Sequence, residues 1–111
     1  MNKRLTQYIQ SKGIDSFQKL QFLLFLHQHP QMKGTHKEFA EQLYWGDITL
    51  LTKIIIDLQF AGLIEQVGQR YKLRNEPGNR FYLQKLARTF ENPLARQELI
   101  DHVQAQKSLV M

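Results

Sequence analysis

The sequence predicts a mainly helical α+β domain in which one short β-hairpin lies between helices. Three observations predict it. Apolar residues recur at helical spacing over most of the chain, N-cap residues precede those segments, and two short alternating runs flank a Gly-Gln turn at residues 68–69. The 111 residues are enough for one domain, 1–111, and no internal repeat or linker divides them.

Composition excludes several classes of protein. The chain has no cysteine, which excludes a disulfide framework, a thiolate zinc site and a cysteine nucleophile. Its 42% hydrophobic content excludes a disordered chain. No apolar run reaches the roughly 18 residues that a membrane span needs, and the first residues lack an apolar leader. We therefore expect a cytoplasmic protein with no membrane contact.

The first half of the chain predicts two helices before any turn-rich segment. A short N-terminal helix is predicted over residues 3–12, ended by Gly13. Ser16 can cap a longer helix, which Pro30 ends. That longer helix is apolar on nearly every side, so other helices or a second subunit must enclose it. The same argument applies to the last helix, with Leu99, Ile100 and Val103, and both predict a homodimer.

A capping box and an aspartate mark the next two helices. Thr35 and Glu38 form a T-x-x-E capping box at the start of a short helix. Asp47 can cap a third helix over residues 48–61, which Gly62 ends. Between these helices we expect Tyr44 and Trp45 to pack at the corner.

A tight hairpin and two more helices complete the chain. Residues 63–67 and 70–74 alternate around the turn, and a glycine at its first position favours type II′. Asn79 can cap the first of two C-terminal helices, predicted over 79–107, and Asn92 with Pro93 begins the second.

This order of elements is that of a winged helix-turn-helix, in which residues 16–74 form the core and the hairpin is the wing. The sequence LQFAGLIE at 58–65 resembles the L-x-x-x-G-L-[IV]-[ER] passage of the MarR and PadR-like regulators. The sequence YKLRNEPG at 71–78 resembles their Y-x-L-T-x-x-G exit, with arginine for threonine and one extra residue. The resemblance covers residues 17–81, and it implies binding of double-stranded DNA.

Carried over by position, the resemblance implies two groups of contacts. Base edges in the major groove would face residues of the third helix: Asp47, Ile48, Thr49, Leu50, Thr52 and Lys53. Phosphates would face the start of the short helix at Thr35, His36 and Lys37, together with the wing. The segment from Asp47 to Ala61 has no arginine for a bidentate guanine contact and holds one cation against two anions. We therefore expect weak direct readout of sequence.

The positive charge lies after the third helix. Residues 70–88 hold six cations and one anion, while the rest of the chain holds nine of each. Arg70, Lys72 and Arg74 alternate along one strand and so project from one face, and Arg80 follows. We predict that they contact phosphate and that binding is salt-sensitive but weakly specific. The alternative is a solvated face that discourages strand pairing between molecules.

Two further features stay open at this point. Ile48, Leu50 and Ile56 are either core residues or an exposed apolar patch that docks a protein. His27 and His29 diverge on a helix, and no carboxylate has ligand spacing with them, so we expect no metal or other cofactor.

We find no catalytic motif and expect no enzyme. The sequence thus predicts a small DNA-binding transcription regulator, with a winged-helix scaffold for protein assembly as the alternative.

Overall fold

A computed structural model describes residues 2–109, with side chains described through residue 106. Within the described residues, six helices and two strands follow one another, which confirms the mainly helical α+β class: α1 Lys3–Ser11, α2 Phe17–Gln28, α3 His36–Leu43, α4 Ile48–Phe60, β1 Ile64–Val67, β2 Arg70–Leu73, α5 Pro77–Glu91 and α6 Pro93–Leu109. Within residues 2–109 no helix combines the length and apolarity needed to cross a lipid bilayer.

Short polar side chains begin most of the helices, as the sequence predicts. The side chains of Ser16, Asp47 and Asn92 accept hydrogen bonds from the first amides of α2, α4 and α6. Thr35 and Glu38 form both hydrogen bonds of the capping box of α3. Because each cap satisfies amides that have no partner inside the helix, these residues fix where the chain turns.

The start of α5 corrects one prediction. The helix begins at Pro77 rather than after Asn79, because a proline without an amide hydrogen suits the first helical position. Asn79 is buried in the first turn, where its side chain bonds the Tyr8 hydroxyl at 3.1 Å and the Gly62 carbonyl at 3.1 Å. Burial raises the pKa of Tyr8, and nearby Glu76 raises it further. Asn79 therefore ties α5 to α1 and to the turn that follows α4.

Other boundaries differ by small amounts. The helices α1 and α4 end at Ser11 and Phe60, with Lys12 and Ala61 as the C-cap residues rather than as helical ones. The last helix runs to Leu109, beyond the predicted end at 107. The glycines at 13 and 62 follow these ends with φ of 64° and 80°, the left-handed conformation that glycine adopts without strain.

The hairpin has the predicted tight turn and an additional partner. Its strands pair from Ile64 with Leu73 to Val67 with Arg70, which leaves two residues in the turn. Gly68 has φ 64° while Gln69 has a negative φ, as a type II′ turn requires. On its other side β2 is bridged to Gly34, since Tyr71 and Gly34 exchange backbone hydrogen bonds of 2.8 and 3.0 Å.

The core is built around α2, which α5, α6 and β2 contact. Leu20, Phe22 and Leu23 of this helix are fully buried, as are Leu99 and Val103 of α6. A single chain thus covers most of the apolar surface from which the homodimer is predicted. Because these residues are already buried within one chain, they are not evidence for a second copy, and the homodimer stays a prediction.

One charged side chain is buried beside this core. The Lys19 ammonium lies 2.9 Å from Asp15 and 3.0 Å from Asp57, and it donates to the Gly13 carbonyl at 3.3 Å. Burial alone lowers its pKa, but the hydrogen bonds to the two carboxylates outweigh burial and raise the pKa above 10.5. Because Asp57 belongs to α4, this ion cluster holds α4 against the start of α2.

Candidate nucleic-acid interface

The strand β2 carries a row of cations on one face of the hairpin. Residues paired across an antiparallel ladder share a face, so Arg70 and Lys72 lie on the same side as Val67 and Glu65. Arg74 follows in the same alternation, and its amide bonds the Leu63 carbonyl at 2.9 Å. The opposite face carries the buried Ile64–Leu73 pair, so the cations lie on the face that turns away from the core.

Two of these cations are matched by carboxylates. The Arg70 Nε lies 3.2 Å from Glu38 of α3, and the Lys72 Nζ lies 3.9 Å from Glu65 across the hairpin. The Thr35 backbone amide and the neighbouring Arg70 hold the pKa of Glu38 below its ordinary value. Among the described residues, no carboxylate lies within 4.0 Å of Arg74 or Arg80. In this part of the structure, the cations without a carboxylate partner are therefore Arg74, which directly follows β2, and Arg80.

A groove brings these cations together with the end of α2. Its volume is about 400 Å³, and it is lined by Lys72, Arg74 and Arg80 from one side and by His27, Pro30 and Gln31 from the other. The Arg80 guanidinium donates a hydrogen bond to the Asn75 side chain, which orients it at the groove. We call this set of residues the wing-base groove. It collects three of the predicted phosphate contacts.

His36 and Thr52 contact each other instead of both facing outward. The His36 Nδ1 lies 3.1 Å from the Thr52 hydroxyl, and the imidazole stacks on Tyr71 with ring centroids 5.0 Å apart. The His36 Nε2 is buried and has no hydrogen-bond partner among the described atoms. These contacts join α3, α4 and β2, so both residues fix the angle between the elements on which the interface depends.

The other two predicted contacts at the start of α3 differ in role. The Thr35 hydroxyl is used by the capping box, where it accepts from the Glu38 amide at 3.2 Å. Lys37 is exposed in the first turn of α3. Of the three residues predicted to face phosphate at this helix start, Lys37 therefore offers an exposed positive charge to a ligand.

The outer face of α4 carries apolar and polar residues in equal number. Its inner face is the buried row Leu51, Ile54, Ile55 and Leu58. Residues 49, 53, 56 and 60 fall on the opposite side at helical spacing. Thr49 and Lys53 are the exposed polar residues of this face. Lys53 supplies the cation of this face, and weak readout of sequence stays a prediction.

The exposure of α4 settles the alternative left open for its apolar residues. Ile48, Leu50 and Ile56 are 47%, 37% and 45% exposed, so they are surface residues rather than core. Phe60 is 90% exposed on the same side as Ile56, and the sequence reading missed it. Its position four residues after Ile56 is the signal that identifies it as outward-facing. We call Ile56 and Phe60 the α4 apolar pair.

The two aromatic residues at the corner have different roles. Trp45 is half-buried and packs on Phe22 with ring centroids 6.4 Å apart, as predicted. The prediction for Tyr44 is wrong, because its side chain is 94% exposed. Tyr44 is the C-cap of α3 with φ 56°, and this left-handed backbone turns the chain while the ring stays in solvent.

The histidines do not assemble a metal site in the part of the chain that the structure describes. No group of three His, Asp or Glu side chains is close enough there to hold an ion. His27 lies at the wing-base groove and His36 lies under Tyr71.

Comparison with models of protein families, with curated proteins and with solved structures finds no match to this chain. Any function must therefore be argued from the arrangement of its own residues.

Proposed function

We propose that this chain is a winged-helix protein that binds duplex DNA through phosphate contacts at the wing and acts as a small cytoplasmic transcription regulator. Support for the fold comes from the order of α2, α3, α4 and the hairpin, with a short turn between α3 and α4. The bridge from Gly34 to Tyr71 adds support, because it joins the segment before α3 to the wing.

The observation that carries the proposal is the wing-base groove. Arg74 and Arg80 line it without a carboxylate partner among the described residues, beside Lys72 and His27. Phosphate oxygens are the ligands that guanidinium groups lining one groove bind best. The outer face of α4 supplies Lys53 and no arginine, so base contacts add little. Affinity is then mostly electrostatic and weakly specific.

Fluorescence anisotropy with a random-sequence DNA duplex, repeated at several salt concentrations, tests this proposal. Each phosphate contact adds about 0.9 to the slope of log K against log salt. Arg74→Ala and Arg80→Ala should each lower the slope by about that amount. Lys85→Gln, which removes a cation outside the groove, is the matched control and should leave the slope unchanged. Absence of binding at low salt, or unchanged slopes for both alanine variants, would refute the proposal.

A second variant tests the wing in the opposite direction. Glutamine at position 38 retains the capping-box geometry but removes the charge that neutralises Arg70. Glu38→Gln should therefore strengthen DNA binding and raise the salt slope by up to about 0.9. Thermal melting checks that the variant is folded, because a loss of the cap would lower the melting temperature instead.

The predicted homodimer is a separate part of this proposal. Two-fold symmetry would place two wings on one duplex and so compensate for weak readout by each copy. Light scattering of the purified protein, with and without duplex DNA, measures it directly. A mass of one chain in both conditions would contradict the dimer but would leave the wing contacts in place.

A winged-helix scaffold for protein assembly is the second candidate, and the α4 apolar pair favours it. Exposed phenyl and isoleucyl groups on one face are more typical of protein contacts than of DNA contacts. Ile56→Asp should then abolish binding of a protein partner while the variant stays folded. Under the DNA proposal the same variant retains most of its DNA affinity, so the two assays separate the functions.

A further inference from the structure

A second basic surface lies away from the hairpin, where α1 packs against α5. A cleft of about 590 Å³ separates the start of α1 from α5. Lys3, Arg4 and Lys85 line it together with Phe81 and Tyr82. An adjoining groove shares Lys85 and continues to Arg88, with Glu98 at its lining. We call the first of these spaces the α1–α5 cleft.

Among the described residues, no acidic side chain lines the α1–α5 cleft itself, while Glu98 lines the adjoining groove that shares Lys85. Among the described residues, no carboxylate lies within 4.0 Å of Lys3, Arg4 or Lys85. The Lys85 ammonium lies 4.8 Å from the centre of the Phe81 ring, over its face. Such a contact is weak at an exposed site, so an anion can draw the ammonium away at small cost. The cleft therefore concentrates positive charge that an anionic ligand would neutralise.

Two of these cations lie at a position where a positive charge does not stabilise the helix that carries it. Lys3 and Arg4 lie in the first turn of α1, where helices favour acidic residues. No residue of that turn is acidic. The two cations thus give α1 no electrostatic support there.

An aromatic surface lies beside the cations. Phe81 is 53% exposed and meets Tyr82 edge to face, with centroids 5.2 Å apart. Tyr82 is itself stacked on the buried Tyr8 at 4.3 Å, which fixes the floor of the cleft. A planar heterocycle can therefore stack at the exposed edge of the cleft while anionic groups reach the cations.

We propose that the α1–α5 cleft binds a nucleoside polyphosphate. Lys3, Arg4 and Lys85 hold the phosphates, and Phe81 receives the base. The volume of the cleft lies within the range of small-molecule sites, roughly 300 to 1,000 Å³. Arg88 in the adjoining groove provides a further cation for a longer phosphate chain. This site is separate from the wing-base groove, so it does not rest on the DNA proposal.

Isothermal titration of the full chain with ATP, with sodium tripolyphosphate and with adenosine tests the proposal. ATP should bind roughly tenfold more tightly than tripolyphosphate, because only ATP can stack on Phe81. Phe81→Leu should remove that difference while leaving the affinity for tripolyphosphate unchanged. Lys85→Gln should weaken the binding of both ATP and tripolyphosphate by about tenfold, since it removes one charge-assisted hydrogen bond. Adenosine alone should bind weakly.

Two controls separate this site from the DNA-binding surface. Arg74→Gln should leave ATP binding unchanged, because Arg74 lines the wing-base groove and neither the α1–α5 cleft nor the adjoining groove. The double variant Lys3→Gln with Arg4→Gln provides a second test in case Phe81→Leu alters folding. It should weaken the binding of ATP and of tripolyphosphate to a similar extent. The proposal would be overturned if ATP and tripolyphosphate bound with equal affinity and no cleft variant changed those affinities. It would also be overturned if ATP did not bind at low salt.

Discussion

Replacing Lys19 by methionine tests how the chain holds α4 in position. The substitution keeps a similar length of side chain but leaves Asp15 and Asp57 without the ammonium between them. Their oxygens lie within about 6 Å of each other, where two charges at an effective dielectric constant near 20 repel by about 2–3 kcal/mol.

The net cost follows from two opposing effects. Removing one partner of a buried ion pair costs about 3–5 kcal/mol. The two carboxylates are 32% and 35% exposed, so water recovers part of their solvation and weakens the repulsion. We therefore expect Lys19→Met to lower the free energy of unfolding by about 2–3 kcal/mol. For a domain of this size that corresponds to a fall of roughly 8–12 °C in the melting temperature.

Urea unfolding followed by circular dichroism measures this loss. Lys33→Met, which removes an exposed cation without a carboxylate partner among the described residues, is the control and should be close to neutral. Adding Asp57→Asn to Lys19→Met should recover part of the stability, because it removes one of the repelling charges. A loss below about 0.5 kcal/mol, or no recovery in the double variant, would refute the assignment of a stabilising ion cluster.

The same cluster predicts a dependence on alkaline pH. The folded-state pKa of Lys19 lies above its ordinary value of 10.5, so its contribution to stability is complete below pH 10.5. The contribution is lost as the pH rises through the folded-state pKa. Lys19→Met should therefore lack this part of the alkaline destabilisation that the parent protein shows.

Three further predictions follow from packing. Gly34→Ala should destabilise the fold by about 1–3 kcal/mol in urea unfolding, because the added Cβ would lie 3.1 Å from the buried Phe39 ring; Gly46→Ala, with no atom within 4 Å, should be neutral or stabilising. Tyr8→Phe should lower the free energy of unfolding by about 1–2 kcal/mol, because the buried side-chain Oδ1 of Asn79 loses its donor. Tyr44→Phe, at an exposed position, should cause no measurable loss. Phe60→Asp should stay folded in circular dichroism, whereas aspartate at the fully buried Ile55 should prevent folding.

Local signals predicted most of the elements because each was fixed within a few residues. Thr35 and Glu38 satisfy each other's amides, and this reciprocal arrangement needs no tertiary contact. The Gly68 turn likewise sets the hairpin register from two residues. Asn79 was misread because a buried asparagine and a capping asparagine look alike in sequence, and its true partners are distant along the chain.

The candidate site was predicted less completely, because ion pairs between distant segments decide which charges are available. Alternation along β2 places Arg70, Lys72 and Arg74 on one side, but nothing local pairs Arg70 with Glu38. The contact between His36 and Thr52 also spans two helices, so sequence alone gave each residue an outward role. The role of α1 as one wall of a basic cleft depends on its packing against α5, which no local pattern encodes.

These ion pairs change which residues of the hairpin region are expected to contact DNA, from Arg70 and Lys72 to Arg74 and Arg80. Arg70 and Lys72 lie on the wing, but Glu38 and Glu65 offset much of their charge. Arg74 directly follows β2 and Arg80 lies near the start of α5. Both residues have no carboxylate partner among the described residues. A wing tip that entered a minor groove through Arg70 would first have to break its pair with Glu38. Under the proposed function, contact at Arg74 and Arg80 needs no such step and would cost less, so Arg74 rather than Arg70 should dominate the salt dependence.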